Sequence, residues 1–363
     1  MEIKNSIAFY IGSLARGGAE RVIVNLAAYF KSEGYQVTIV TKLQEEDEYE
    51  IAEGIPRLLA DIEGDEISKS RIKNLYRRIK KMRNIWKEIQ PDYIVSFIKK
   101  NNFMAITSSM GLHIPVVVSV RSDPAREYPD FVTRTLAGML FKRAKGIVLQ
   151  TQDALHFFNK SIQKKAIVLP NSLTPAFLRP PYEGERKKEI VWVGRMDENK
   201  NPTLLFYAFA EVAKEFPDWT LHFCGEGREE LKIKELCHQY HLEERVFTEG
   251  RIEQVDKRIE TSAVFVLTSK QEGMPNALME AMALGLAVIS TDCPCGGPRE
   301  LIEHRKNGLL IPVDDKETLV KELREVLKNT EYRRSLGEEA AKIQEKLNPT
   351  VVNKMWKDYI TSK

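Results

Sequence analysis

Cysteine is scarce: four residues in 363, at Cys224, Cys237, Cys293 and Cys295, all in the second half. The closest two form a C-x-C, and no second pair completes a zinc box or a thioredoxin-like C-x-x-C. A disulfide scaffold is thereby excluded, and reduced thiols of a cytoplasmic protein are expected. Long apolar runs are also missing. The stretch 7–14 is too short to span a bilayer and leads straight into Arg16-Gly17-Gly18, so neither a secretory leader nor a transmembrane helix is expected. No low-complexity tract occurs. G-x-G-x-x-G, the nicotinamide fingerprint, is absent, and so is an Asp-x-Asp pair after a strand.

A net charge of +3 is small for a nucleic-acid binder. Its distribution is uneven: nine cations and no acid lie between Lys69 and Lys87, leaving the remainder net acidic. Ile72, Leu75, Tyr76, Ile79, Met82, Trp86 and Ile89 recur there at helical spacing, with cations on the other face. Such a helix can dock on its own sheet with a solvated basic face. It can equally contact anionic lipid or a lipid diphosphate, for which Arg77, Arg78, Lys80 and Lys81 are the candidate contacts. No groove-binding motif accompanies it, so nucleic acid is not an expected partner.

The length suits two domains. Strand-like runs rich in Val and Ile at 7–11, 37–41, 93–98, 116–120, 146–150 and 167–169 alternate with helical patterns. Near-continuous apolarity points to parallel strands covered on both faces. Prolines and a glycine break the pattern across 171–186, read as a linker. Alternation restarts at 190–194 and continues with strands at 220–224, 263–268, 287–291 and 308–311. The expected organisation is an α/β chain with one Rossmann-like domain over 1–170 and a second over 187–345. A C-terminal helix over 346–363 is free to pack back on the first.

Three segments carry candidate chemistry. Ser13-Leu14-Ala15-Arg16-Gly17-Gly18-Ala19-Glu20 follows the first strand and opens a helix. Backbone N–H groups there can face phosphate, unless the glycines merely serve a tight turn of positive φ. Gly194-Arg195-Met196-Asp197-Glu198-Asn199-Lys200 follows a strand of the second domain. Its two cations can clasp a diphosphate, Arg195 with a planar fork and Lys200 as a point charge; Asp197 and Glu198 could instead neutralise them. Glu272-Gly273-Met274-Pro275-Asn276-Ala277-Leu278-Met279-Glu280 starts another helix, with Glu272 at its positive end and Glu280 two turns along.

Together with Cys293-Pro294-Cys295-Gly296-Gly297-Pro298-Arg299-Glu300 and Asn307-Gly308-Leu309-Leu310, these strings resemble retaining glycosyltransferases of family 4. The resemblance covers nearly the whole chain and implies the GT-B architecture: two Rossmann-like domains with parallel sheets facing a central cleft. It implies that the second domain binds a nucleotide-sugar donor, a UDP-sugar being expected, and the first an acceptor. Arg195 and Lys200 would take the diphosphate, Glu272 the sugar hydroxyls near the anomeric carbon, and Glu280 the ribose. The backbone of Gly194 and of Gly273, Met274, Pro275 and Asn276 would face the donor, and Gly17 and Gly18 a phosphate. No metal and no cofactor is implied. The family's usual first-domain histidine is absent; Ser119-Val120-Arg121-Ser122-Asp123 stands there, with Arg121 a candidate for acceptor or phosphate contact. The basic helix is similar to that of members extending polyprenyl-diphosphate-linked glycans, implying surface polysaccharide assembly on the inner face of the cell membrane. A sugar-nucleotide epimerase of the same fold and a non-catalytic nucleotide-binding module are the alternatives. In the chemistry expected, charge grows on a departing nucleoside diphosphate, stabilised by fixed cations and helix N-termini. The acceptor hydroxyl attacks on the same face, or a carboxylate first forms a covalent glycosyl-enzyme.

Overall fold

The computed structural model describes residues 5–362. The chain divides into two compact units. The first comprises Met1–Asn171 and Val352–Lys363, the second Ser172–Val351.

The first unit is built on β1 (Ser6–Ile11), β2 (Gln36–Thr41), β3 (Arg57–Leu59), β4 (Tyr93–Phe97), β5 (Val116–Ser119), β6 (Gly146–Leu149) and β7 (Ala166–Val168). They pair in the order β3-β2-β1-β4-β5-β6-β7, every neighbour parallel. β5 and β6 are buried at every position, which is why they read as unbroken apolar runs and not as alternating ones. Strand order reverses between β1 and β4, so a ligand crevice is expected beyond their carboxyl ends.

The helix Pro349–Thr361 returns to this unit with Val352, Trp356 and Ile360, four residues apart, on its buried face. Trp356 is completely buried and stacks on Phe97 of β4 at 5.5 Å between ring centroids. Ile147 N–H donates to the Tyr359 hydroxyl across 2.8 Å. Gly146 makes room for it, since a Cβ there would lie 2.5 Å from the Tyr359 oxygen. Losing a buried tryptophan costs roughly 3–5 kcal/mol, so this helix is part of the core.

The second unit carries β8 (Lys187–Val193), β9 (Thr220–Cys224), β10 (Val246–Thr248), β11 (Ser262–Leu267), β12 (Ala287–Thr291) and β13 (Leu309–Ile311). Their order is β10-β9-β8-β11-β12-β13, again all parallel. Alternate side chains feed two cores, one on each face. Ile190, Trp192, Val264 and Val266 enter the first, and Val191, Phe265 and Leu267 the second. The segment read as a linker is largely absorbed here: Leu173 and Phe177 are buried in the second of those cores, and Leu173 N–H donates to Leu347 O.

Two strands escape the sequence reading, β3 and β10. Each has three residues, and each is the outermost strand of its sheet on the same side of the order. The opposite edge strands β7 and β13 are equally short but read as strands because they are wholly apolar (AIV and LLI), whereas β3 opens on Arg57 and β10 ends on Thr248. The basic helix also differs from its reading. It runs Arg71–Ile89, capped by Ser70, and buries only Met82, Ile85 and Trp86. Ile72, Leu75 and Tyr76, expected on the same apolar stripe, are exposed.

A partly buried ion pair fixes the loop after β1. Arg57 of β3 donates to Glu48 through Nη1 at 2.5 Å, and Glu48 accepts the Leu14 N–H at 3.0 Å. The Arg57 hydrogen bond, outweighing burial, holds the Glu48 carboxyl at about 2. A depressed carboxylate contributes stability that is complete above its ordinary value of 4.5 and is lost as pH falls towards 2. Glu48→Gln is expected to cost roughly 1–3 kcal/mol in urea unfolding at pH 7, and the deficit should close between about pH 4.5 and 2. A deficit independent of pH would show that the pair does not act through charge.

Candidate active site

In the second unit the loops after β8 and β11 lie side by side, because those strands are neighbours at the point where strand order reverses. Four hydrogen bonds lace them. Thr268 Oγ1 donates to the carbonyls of Asn201 and Lys200 at 2.8 and 3.1 Å. Lys270 N–H donates to Asn199 O at 2.7 Å, and Asn199 Nδ2 to Gln271 O at 3.1 Å.

That lacing brings Lys200 to Glu272. The ammonium donates to Glu272 Oε1 across 2.5 Å, and the Ser269 hydroxyl donates to the same oxygen across 2.6 Å. Both side chains are largely buried, so the pair is weakly screened. Arg195 behaves differently. Its side chain is 78% exposed and held only through Nε, which donates to Asp197 Oδ2 at 2.6 Å. Burial on its own would raise the Asp197 carboxyl; the Lys200 N–H, the Arg195 hydrogen bond and both cationic charges together hold it below its usual value. An ionised Asp197 therefore aims Arg195 while its guanidinium edge stays open.

Glu272 is fixed through its backbone as well. Its N–H donates to Pro294 O at 2.9 Å, and Cys295 N–H donates to Glu272 O at 3.1 Å. The Cys293–Gly297 turn thus braces the loop. Gly297 is required by closeness: a Cβ there would fall 1.7 Å from Gly273 O. Burial, reinforced by the nearby Glu272 charge, pushes the Cys293 thiol up to about 12, which removes it as a nucleophile at neutral pH.

Pro275 caps the helix Asn276–Ala283. The Met274 side chain joins the apolar core, so only its backbone can face a ligand. Glu280 is 7% exposed on the same helix. Gly194 abuts a loop that sequence reading passed over, Gly225-Glu226-Gly227 after β9. Gly194 N–H donates to Cys224 O at 3.1 Å and Met196 N–H to Glu226 O at 2.7 Å. Cβ atoms at Gly225 and Gly227 would meet Gly194 O and Met196 O at 1.8 and 2.3 Å. A G-x-G directly after a strand was the available signal.

Gly194, Arg195, Lys200, Glu272, Gly273 and Asn276 thus belong to one pair of loops and the helix that follows. The first-domain candidates lie in the other unit. Gly17 caps the helix Gly18–Ser32 at φ −114°, so positive φ is not what its glycine supplies. A Cβ there would meet the Glu20 carboxylate at 2.2 Å, the far end of a side chain that can turn away. Arg121, past the end of β5, donates to Asn171 Oδ1, and its guanidinium sits 5.0 Å from the centre of the Phe97 ring. Burial lowers it to about 9. Of the basic quartet, Arg77 and Lys80 are exposed. Arg77 donates to Glu66 O, Lys81 to Asp61 O, and Arg78 Nε to Asp61 Oδ1 at 2.7 Å. Among the described residues no group of three His, Cys, Asp or Glu is placed to hold a metal ion, and no helix is long and apolar enough to cross a membrane.

Comparison with known proteins meets this geometry at both halves. The family described as glycosyltransferase family 4 matches residues 16–176, and that described as glycosyl transferases group 1 matches residues 177–343. The chain belongs to the family 4 glycosyltransferases. The enzyme is 28% identical over 343 residues to a Campylobacter jejuni GalNAc-alpha-(1->4)-GalNAc-alpha-(1->3)-diNAcBac-PP-undecaprenol alpha-1,4-N-acetyl-D-galactosaminyltransferase, covering 91% of each chain. To a second C. jejuni protein, N-acetylgalactosamine-N,N'-diacetylbacillosaminyl-diphospho-undecaprenol 4-alpha-N-acetylgalactosaminyltransferase, it is 26% identical over 92% of this chain and 93% of the other. Among solved structures it is similar to Anabaena HepE in complex with UDP and glucose, with a TM-score of 0.82, 17% identity, and coverage of 98% and 99% of the two chains. With its two parallel sheets, the glycosyltransferase has the GT-B fold.

Gly297→Ala is expected to lower stability in urea by roughly 2 kcal/mol, because the atom it meets is backbone and cannot rotate away. Gly184→Ala, whose Cβ would meet the exposed side chain of Tyr182 and no backbone, is the control and should stay within about 0.5 kcal/mol. Equal effects at the two glycines would remove the brace assigned to the Cys293–Gly297 turn.

Proposed function

We propose that this glycosyltransferase moves a sugar from a UDP-sugar, with retention at the anomeric carbon and without a metal ion, to a glycan carried on a lipid diphosphate. The observation that carries the reading is the Lys200–Glu272 pair beside an open Arg195, on laced loops at the strand-order reversal of the second sheet. Two cations and a carboxylate meet there as a departing nucleoside diphosphate and a sugar require. UDP is favoured because the similar HepE binds it. The lipid diphosphate is favoured because both C. jejuni relatives act on undecaprenol-linked glycans. The setting is assembly of a surface polysaccharide, with the protein in the cytoplasm and peripheral on the inner face of the cell membrane.

In this mechanism Arg195 and Lys200 hold the donor diphosphate and stabilise the charge that grows on it as the glycosidic bond lengthens. The N-terminus of the helix Asn276–Ala283 adds its positive end. Glu272 accepts sugar hydroxyls near the anomeric carbon, and Glu280 holds the ribose. In the absence of donor, Lys200 and Glu272 neutralise each other, so donor binding must divide the pair between phosphate and sugar. The acceptor hydroxyl attacks the face that the diphosphate leaves, and a leaving-group oxygen takes its proton. In the first unit, backbone at Gly17 and Gly18 faces phosphate and Arg121 contacts the acceptor.

Release of nucleoside diphosphate from a panel of UDP-, GDP- and ADP-sugars, with and without a polyprenyl-diphosphate-linked glycan, tests this. Acceptor-dependent release from a UDP-sugar is expected, with an anomerically retained product. Arg195→Ala and Glu272→Gln should each lower kcat roughly 100- to 1,000-fold. Donor interconversion without acceptor would replace the reading with an epimerase, and full activity of Glu272→Gln would remove the residue from the chemistry.

A further inference from the structure

The helix Phe131–Phe141 turns large apolar side chains to water. It leaves Phe131 83%, Val132 71%, Met139 57% and Leu136 38% exposed, and between Phe131 and Lys145 the chain has no acidic residue. The first two turns of the basic helix share this character, with Ile72 81%, Tyr76 66% and Leu75 52% exposed and no acid from Lys69 to Lys87. Contiguous exposed apolar surface of this kind marks an interaction site.

A cavity of about 840 Å³ joins the two helices. Leu75 and Ile79 line it from one side, Leu136 and Leu140 from the other, and Phe103 and Met104 of the helix Lys99–Ser109 contribute as well. Leu75 and Leu136 both line the cavity and face solvent, so they stand at an opening between the helices; Glu45 and Lys100, which also line it and are exposed, stand at another. Its other wall lies at the carboxyl ends of β1, β2 and β4 and is polar, with Ser13, Lys42, Glu45, Lys99, Lys100 and Asn101, the Lys42 ammonium lying 3.4 Å from Asp61. A pocket for a free sugar alone would be polar throughout. This one runs from apolar between the helices to polar and net cationic at the strand ends, the polarity of an amphiphile bound with its head at the strand ends and its hydrocarbon leaving between the helices. Hydrocarbon that leaves there must enter more hydrocarbon, which the rim of Phe131, Val132, Met139, Ile72 and Tyr76 would meet. Arg71, Lys73, Arg134, Lys142 and Arg143, on or just beyond the same helices, complement anionic headgroups.

We propose that the helix Phe131–Phe141 and the first two turns of Arg71–Ile89 insert as a pair into an anionic bilayer, and that the hydrocarbon of the lipid diphosphate acceptor enters the cavity between them. The second half rests on the acceptor reading above; the first half does not. Flotation with phosphatidylglycerol-containing vesicles tests insertion without any acceptor. Wild type should float, and F131S/V132S/M139S, which changes only exposed side chains, should partition at least about tenfold less, because binding scales with apolar area buried. Thr107→Phe, which fills the cavity from within, should float like wild type yet raise KM for a vesicle-borne polyprenyl acceptor about fivefold, with donor KM unchanged. Undiminished flotation of the triple variant overturns insertion. An unchanged acceptor KM for Thr107→Phe overturns entry into the cavity. Wild-type flotation without turnover of any lipid-linked acceptor would sink the acceptor reading and leave insertion standing.

Discussion

Everything assigned to the second unit hangs on the contact between an ammonium and a carboxylate carried by different loops. Lys200 and Glu272 are 72 positions apart and meet only because β8 and β11 are neighbours in the sheet. A bare pair of this kind would gain little, since desolvation takes back most of the Coulomb attraction. The Ser269 hydroxyl, the Thr268 bonds to the partner loop and the clamp of the Cys293–Gly297 turn on Glu272 supply what the pair lacks. The two loops are therefore held in one arrangement with their charges matched.

The neighbouring Arg195 follows the opposite rule. A buried arginine would have its donors committed; an exposed one tethered at Nε keeps its other nitrogens available. One loop thus carries a buried cation with a fixed partner and a solvent-facing cation with a directional tether. A clasp for a mobile diphosphate has use for both.

Much of this was legible in the residues. Buried parallel strands announce themselves by unbroken Val and Ile runs, and the Gly194–Lys200 and Glu272–Glu280 strings stood out because each follows such a run. Long-range geometry was not legible. Nothing in the spacing said that Lys200 would reach Glu272, or that Gly297 was a glycine for the sake of Gly273. β3 and β10 were missed because Arg57 and Thr248 break the short apolar run by which the equally short edge strands β7 and β13 are read. The basic helix was misjudged in its first half, where an amphipathic stripe looks the same whether protein or solvent lies against it. The exposed face of Phe131–Phe141 was invisible for the same reason: burial is a property of neighbours, and a helix rich in Phe, Leu and Met reads as core.

The return of the chain to its first unit has a consequence for the order of events during synthesis. Trp356 completes the core around Phe97, yet the 180 residues of Ser172–Val351 are made in between. At about 5–20 residues per second, the sheet of the first unit waits on the order of ten to forty seconds on the ribosome with that face uncovered. The second unit, continuous in sequence, has no such wait. The half of the molecule that emerges first is thus the half that finishes last, and the nascent chain carries an open apolar seam for about half of its elongation.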